Sequence, residues 1–148
     1  MIQRDSHPVV YDPREKRVLK EITLANNSGN PALGLCPRRR EVCADDYDTL
    51  LKLDLDSLEV KASRRIQSAP DGTAQFIGRW SFNEDESLCL VPRPFSGDVL
   101  AISAETMKTQ SVAKLGGQPL EAAFLDNGRL IARDWKTVRL LKASLQRA

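Results

Sequence analysis

Short apolar runs alternate with polar turns along the whole chain. Residues 51–56 (LKLDLD) alternate apolar and polar side chains at a period of two, which predicts a strand that is buried on one face. Residues 88–91, 99–102, 130–132 and 138–141 are nearly all apolar, which predicts inner strands covered on both faces. Turn-forming residues separate these runs so often that little room remains for a long helix. The pattern therefore predicts an all-β protein of short antiparallel strands.

The strand–turn–strand segments of this pattern repeat along the chain. Residues 33–44, 79–90 and 121–132 align with one another without gaps. The alignment produces three apolar columns, at spacings of 46 and 42 residues. These columns contain Cys36, Phe82 and Phe124; Val42, Leu88 and Leu130; and Cys43, Cys89 and Ile131. Blades of a β-propeller recur at roughly 40 to 50 residues, so the spacing favours that architecture.

The hairpins that follow these segments align as well. Asp12, Asp54 and Ser103 occupy one column, at spacings of 42 and 49 residues. Strands of a β-sandwich show frequent turns but lack such a long-range register. We therefore predict antiparallel four-stranded repeats of a partial β-propeller, with a β-sandwich or an irregular β domain as the alternative.

Two motifs carry a resemblance to a known repeat. Gly117-Gln-Pro119 leads to Phe124, which is followed by an Asp126-Asn-Gly turn and the apolar residues 130–132. This order resembles the YVTN-type propeller repeat, in which Gly-x-Pro leads into one strand and an Asp-Gly turn into the next. Gly29-Asn-Pro31 repeats the first half of the motif, whereas the middle copy lacks it. The chain also lacks the Gly-His and Trp-Asp dipeptides of WD40 repeats, so the resemblance implies a YVTN-like or WD40-like propeller.

The strands fall into an outer pair, two units of four and a final set of three. These groups span residues 8–24, 31–66, 74–115 and 120–141. About three and a quarter blades in a single domain over residues 1–148 do not close a ring, because propellers have four to eight blades. Open faces lined by residues such as Val10 and Leu140 would then be uncovered. We expect a piece of a longer chain or a part of an oligomeric ring, and self-association is expected.

Composition narrows the classes of partner. The 148 residues are 41% hydrophobic and 28% charged, which is typical of a soluble globular domain. A net charge of +2 creates no field that would attract a polyanion, so nucleic acid is not expected as a partner. No apolar run approaches the ~20 residues that span a bilayer, and the amino terminus lacks the apolar core of a signal peptide. We expect no membrane association and a cytoplasmic location.

The three cysteines are predicted to be structural. They are odd in number and contain no Cys-x-x-Cys pair, which argues against a disulfide framework or a zinc site. Each falls in an apolar column, and free cysteine packs as a small hydrophobic residue. The hairpin places Glu41 rather than Cys43 opposite Cys36, so no redox pair is predicted. The prediction is that Cys43 and Cys89 are buried.

No catalytic or metal site is predicted. His7 is the one histidine, and it precedes Pro8 near the amino terminus. A hydrolase would need a histidine base and a nucleophile, yet no Gly-x-Ser-x-Gly motif is present. Carboxylates cluster at residues 45–48 and 84–86, where solvated turns are the usual outcome rather than a cation site. No metal and no cofactor are expected.

Arg38, Arg39 and Arg40 form the basic tip of a hairpin and are the candidate binding residues. Guanidinium groups pair in bidentate fashion with oxyanions, so such a tip is suited to a phosphate or an acidic peptide. A solubilising turn is the other interpretation. It predicts that the substitution Arg39→Glu leaves the melting temperature almost unchanged.

Two classes of function remain from the sequence. The first is a non-enzymatic interaction module that presents blade loops to a protein partner. The second is a propeller enzyme of the lactonase or hydrolase type, with carboxylates from several blades around a metal-assisted site. The enzyme requires acidic residues at equivalent positions, but the aligned column reads Asp45, Val91 and Arg133. The sequence therefore favours the interaction module.

Overall fold

The protein is built from β-strands in every part for which a structure is described. The computed structural model describes residues 9–24, 32–66, 76–125, 129–142 and 146–147. Its strands are β1 (Val9–Asp12), β2 (Arg17–Glu21), β3 (Leu33–Cys36), β4 (Glu41–Asp46), β5 (Thr49–Asp54), β6 (Val60–Arg65), β7 (Ser81–Phe82), β8 (Leu88–Arg93), β9 (Asp98–Ser103), β10 (Thr109–Lys114), β11 (Glu121–Phe124), β12 (Arg129–Arg133), β13 (Val138–Lys142) and β14 (Gln146–Arg147). Within these residues there is no helix long and apolar enough to span a membrane.

The strands form four antiparallel sheets, which we call blades 1 to 4. Blade 1 contains β1 and β2, blade 2 contains β3 to β6, blade 3 contains β7 to β10, and blade 4 contains β11 to β13. Within each blade the spatial order follows the chain order, and β14 adds to the outer edge of β10. The predicted grouping of strands and the predicted fold class, antiparallel four-stranded repeats of a partial propeller, are confirmed.

The hairpins between the outer strands share one turn chemistry. Oδ1 of Asp54 accepts hydrogen bonds from the backbone N–H groups of Asp56 (3.0 Å) and Ser57 (2.9 Å). Oδ1 of Asp12 likewise accepts from the backbone N–H groups of Arg14 and Glu15, which follow it by two and three residues. Oγ of Ser103 accepts from the backbone N–H of Thr106 (3.2 Å). Such side-chain bonds replace backbone partners and stabilise tight turns. The predicted column of Asp12, Asp54 and Ser103 is therefore confirmed.

The core lies between blades rather than within them. One apolar cluster joins blades 2 and 3, another joins blades 3 and 4, and a third joins blade 2 to the segment after β2. Side chains of β9 alternate between these clusters, because Leu100 and Ile102 face blade 2 whereas Val99 and Ala101 face blade 4. The predicted burial of residues 99–102 on both faces is confirmed.

The half-buried strand predicted at residues 51–56 differs from the structure in two ways. The strand β5 ends at Asp54, and the next residues form the turn. Lys52, predicted to face solvent, is only 7% exposed. A period of two identifies the polar face of a strand, but here the neighbouring blade covers that face. The interpretation of residues 51–56 as a strand with one solvated face is therefore wrong.

The gapless alignment of the three segments is wrong by one residue in its middle copy. Cys89 packs toward blade 2, the preceding blade, whereas Cys43 packs toward blade 3, the following one. The residue of blade 3 that faces the following blade is Leu90. Six residues separate Phe82 from its partner Cys89, as six separate Leu35 from Val42, against five between Phe124 and Leu130. The β11–β12 turn is therefore one residue shorter than the other two, and a difference of one residue moves every later side chain of a gapless alignment to the opposite face of a strand.

The strand pairing also removes Cys36 from the column of Phe82 and Phe124. Pairing places Leu35 opposite Val42, as Phe82 lies opposite Cys89 and Phe124 opposite Leu130. Leu35, not Cys36, is therefore equivalent to the two phenylalanines. The prediction that Val10 lines an open face is also wrong, since Val10 is half-buried and its neighbours Val9 and Tyr11 are the exposed residues. The side chain of Leu140 lies outside the described part of the protein.

Candidate interaction site

The turns between the second and third strands of blades 2, 3 and 4 lie at one end of the array, which we call the upper end. They contain residues 47–48, 94–97 and 134–137. The turns between first and second strands lie at the opposite, lower end. Successive blades run in the same direction, as the parallel bridge between Arg79 and Glu121 shows. Residues of equivalent turns are consequently neighbours from blade to blade.

Each of the three upper turns exposes one aromatic side chain. Tyr47 is 38% exposed, Phe95 is 42% exposed and Trp135 is 73% exposed. This row was not predicted from the sequence, although a signal was present. Tyr47 and Trp135 share the pattern Asp, aromatic, any residue, Thr, which begins at Asp46 and Asp134. These three residues are called the aromatic row below.

Hydrogen bonds hold the turns of the aromatic row in place. Oδ1 of Asp134 accepts from the N–H groups of Lys136 and Thr137, both at 2.7 Å, and this closes the turn that carries Trp135. Tyr47 has a φ of 61°, in the left-handed region that tight two-residue hairpin turns require. The ring of Phe95 packs edge-to-face against Phe76, with centroids 5.1 Å apart. The row is therefore carried by constrained turns.

Ion pairs anchor two of these turns to the strands. Arg93 forms two parallel hydrogen bonds to the carboxylate of Asp98, each 2.7 Å long, and Nζ of Lys114 lies 2.7 Å from the same carboxylate. Asp98 is fully buried, so this carboxylate relies on those cations for its stability. In blade 2, Oδ2 of Asp48 lies 2.7 Å from Nε of Arg65.

A buried carboxylate joins blades 2 and 3 below the aromatic row. Oδ1 of Asp45 accepts hydrogen bonds from the indole N–H of Trp80 (3.1 Å) and from the backbone N–H of Ala32 (2.8 Å). Burial raises the pKa of Asp45 above its ordinary value, and these hydrogen bonds offset part of that rise. Asp45 therefore acts as an acceptor that couples two blades.

The acidic clusters considered from the sequence have structural partners. Asp45 and Asp48 have the partners described above. Oδ1 of Asp85 accepts hydrogen bonds from the N–H (3.0 Å) and the hydroxyl (2.6 Å) of Ser87. Glu86 is buried and accepts hydrogen bonds from backbone N–H groups of the neighbouring blade. Among the described residues, no three His, Cys, Asp or Glu side chains come together in a way that could hold a metal ion. His7 lies outside the described residues.

The column proposed for an enzymatic site changes with the corrected register. Counted forward from the equivalent residues Val42, Cys89 and Leu130, Asp45 is equivalent to Pro92 and Arg133, not to Val91. Arg133 lies 3.0 Å from the carboxylate of Glu121 on the adjacent strand. The residues at these positions thus differ in charge, and the array presents no ring of carboxylates in the part that the structure describes.

The arginine tip lies at the lower end, between β3 and β4. Nε of Arg39 donates to Oε2 of Glu41 at 3.0 Å, and the guanidinium of Arg40 pairs with Asp56. Arg38 extends its exposed side chain from the same turn. The structure thus places the three predicted residues together, but two of the guanidinium groups already bind carboxylates of this chain. Their capacity to bind an external oxyanion is reduced accordingly.

The cysteines meet at the interface of blades 2 and 3. All three are buried and none forms a disulfide. A hydrogen bond with Cys43, together with burial, raises the pKa of the Cys36 thiol, and burial raises that of Cys89. The predicted burial of Cys43 and Cys89 is confirmed, although they face each other across the interface instead of sharing a column.

Comparison with known proteins agrees with this architecture. No family model matches the chain. The crystal structure of Saccharomyces cerevisiae Sqt1 superimposes with a TM-score of 0.74 at 18% sequence identity. The chain has a WD40-like β-propeller fold. The likeness to Sqt1 does not single out the YVTN type. The match covers 97% of this chain and 41% of Sqt1, so the chain spans about two fifths of the length of that protein.

Proposed function

We propose that this chain is a non-enzymatic interaction module whose upper end binds a protein partner. The observation that carries the proposal is the aromatic row, in which Tyr47, Phe95 and Trp135 are exposed at equivalent turns of three successive blades. Tyrosine and tryptophan dominate the binding energy of many protein interfaces, because a large ring is buried for the ordering of only two side-chain torsions.

The surroundings of the row support an apolar mode of recognition. The charged groups at this end largely pair within the chain, as Arg93 does with Asp98 and Arg65 with Asp48. Paired charges contribute little to steering a charged ligand. Loops on a rigid β scaffold are also the usual place for recognition. No observation in the described residues favours the lactonase or hydrolase alternative, and the cytoplasmic location stays a prediction.

A displayed library of random dodecapeptides, selected on the purified protein, tests the proposal. Trp80 is buried and Trp135 is exposed, so a bound peptide should protect Trp135 fluorescence from quenching by iodide. The triple variant Tyr47→Ser, Phe95→Ser, Trp135→Ser should lose at least about tenfold in affinity for the selected peptides.

The matched control is Val60→Ser, an exposed apolar residue at the start of β6 near the lower end. It should leave peptide affinity unchanged. Failure to select any peptide, or peptides that bind the triple variant as tightly as the unaltered protein, would overturn the proposal.

A further inference from the structure

Blades 2 and 3 each end their outer strand on a cation at the upper end of the array. Arg65 is the last residue of β6 and pairs with Thr49, the first residue of β5. Lys114 is the last residue of β10 and pairs with Asp98, the first residue of β9. Arg65 and Lys114 therefore occupy equivalent positions, and we call them the outer cations.

Backbone hydrogen bonds hold each outer cation next to a turn of the aromatic row. The N–H of Ile66 donates to the carbonyl oxygen of Asp48 at 2.7 Å, so the end of β6 lies against the turn that carries Tyr47. The N–H of Gly116 donates to the carbonyl oxygen of Gly97 at 3.0 Å, so the end of β10 lies against the turn of the second ring. An aromatic ring and a cation thus recur together in two successive blades.

The outer cations are exposed, whereas the carboxylates beside them are buried. The side chains of Arg65 and Lys114 are 74% and 75% exposed. Among the described residues of blades 2 and 3, the carboxylates at the upper end are all buried, namely those of Asp45, Asp46, Asp48 and Asp98. A partner at this end therefore contacts cationic groups, while the negative groups lie inside the fold.

The carboxylate beside Lys114 does not cancel the charge of that residue. Arg93 already donates one hydrogen bond to each oxygen of Asp98, and both of these side chains are buried. Lys114 is a second cation on the same carboxylate, so the group of three carries one excess positive charge at its exposed member. An ammonium group has three N–H donors, which leaves it able to pair with a second carboxylate.

We infer that the upper end binds an acidic segment of a protein partner, whose apolar side chains cover the aromatic row and whose carboxylates pair with Lys114 and Arg65. This inference rests on the proposed function and adds the charge of the partner to it. Charge complementarity of this kind acts at contact and confers specificity, so it does not require a strong field from the whole protein.

The charge distribution favours an acidic protein segment over the other polyanions. Nucleic acids bind through many phosphate contacts, whereas this end offers two outer cations on a chain with a net charge of only +2. The arginine tip, which the sequence favoured for an acidic peptide, lies at the lower end. Two of its guanidinium groups already bind Glu41 and Asp56.

Fluorescence anisotropy with labelled dodecapeptide pools tests the inference. Leucine and phenylalanine are randomised at alternate positions of every pool, and the remaining positions are all glutamate, all glutamine or all lysine. The glutamate pool should bind the unaltered protein about fivefold more tightly than the glutamine pool, and the lysine pool should bind most weakly. Lys114→Gln should lose part of this preference, and the double variant Lys114→Gln, Arg65→Gln should bind the glutamate and glutamine pools equally.

The matched control is Arg38→Gln, which removes the same charge from the exposed arginine tip at the lower end. It should keep the full preference for the glutamate pool. The test variants should stay folded in urea titrations, because Lys114→Gln leaves both hydrogen bonds between Arg93 and Asp98, and Arg65→Gln keeps an N–H donor.

The outcomes separate this inference from the proposed function. Equal affinity for the glutamate and glutamine pools, with both weakened by the triple serine variant of the aromatic row, would overturn the inference and leave the proposed function standing. Binding of no pool, or unchanged binding of the glutamate pool by the triple serine variant, would overturn both. Loss of the preference in Arg38→Gln, or displacement of the glutamate pool by a single-stranded oligonucleotide at a lower concentration than the unlabelled pool requires, would overturn the inference as well.

Discussion

The substitution Lys52→Met tests whether Lys52 is a buried bridge, as in the structure, or a surface residue, as the period-two pattern predicts. Nζ of Lys52 donates to the carbonyl oxygens of Ala104 (3.0 Å) and Glu105 (2.9 Å) on the next blade. It also lies 3.8 Å from Oε1 of the buried Glu41. The period-two pattern would make Lys52 a surface residue, for which a substitution changes stability by less than about 0.5 kcal/mol. The structure makes it a bridge between blades 2 and 3.

The expected loss follows from these contacts. A hydrogen bond from a charged donor contributes about 1.5–3 kcal/mol, so the two bonds together contribute about 3–6 kcal/mol. Removing the ammonium group also relieves the desolvation cost of a buried charge, and methionine keeps the apolar stem. We therefore expect Lys52→Met to lower the free energy of unfolding by about 2–3 kcal/mol, or roughly a hundredfold in the folded-to-unfolded ratio.

Urea unfolding at a fixed protein concentration measures this loss as a shift of the transition midpoint. The matched control is Lys61→Met, because Nζ of Lys61 lies 3.3 Å from the same Glu41 carboxylate but its side chain is 44% exposed. An exposed pair contributes about 0–1 kcal/mol, so Lys61→Met should cost far less. If Lys52→Met unfolds at the same urea concentration as Lys61→Met, the buried bridge does not exist in solution.

Three further predictions follow from the same interface and its turns. The three thiols should not react with Ellman's reagent at pH 8 in the folded protein and should all react in denaturant. The reason is that a hydrogen bond with Cys43 and burial raise the pKa of Cys36, and burial raises the pKa of Cys89. Fast reaction of the folded protein would contradict this packing. Arg39→Glu should lower the free energy of unfolding by about 1–2 kcal/mol, because it places a carboxylate beside Glu41. Arg38→Glu should change it by less than about 0.5 kcal/mol. Equal melting temperatures of the two variants would indicate that the arginine tip is a solvated turn. Burial raises the pKa of Asp45 in the folded protein above its unfolded value of about 3.8. The protonated carboxyl therefore contributes its full stability below that unfolded pKa, and this contribution is lost as the pH rises through the folded pKa. Asp45→Asn should therefore gain stability relative to the unaltered protein at pH 7, with a difference that shrinks toward pH 4, and a gain that grows on acidification would reverse the argument.

The sequence alone determined the grouping of strands β1 to β13 and the equivalence of the turn residues in the outer hairpins, whereas β14 was not predicted. The grouping follows from turn residues such as Asp54, whose side chain bonds to its own turn whatever surrounds it. The burial of the cysteines was also predictable, since each lies in an apolar run of a strand. The choice of Arg38, Arg39 and Arg40 as binding residues rested on charge alone, and their ion pairs with Glu41 and Asp56 could not be read from it.

Tertiary structure decided which side chains face which neighbour. A period of two distinguishes the two faces of β5, but only the stacking of blade 3 on blade 2 determines that Lys52 is buried. The β11–β12 turn is one residue shorter than the β3–β4 and β7–β8 turns, so a gapless alignment assigns Cys89 and Leu90 to the wrong faces, and turn length is poorly constrained by a repeat pattern. The aromatic row likewise depends on blades standing side by side in one direction. Contacts between residues distant in the chain set all three features, and local patterns of hydrophobicity carry no record of such contacts.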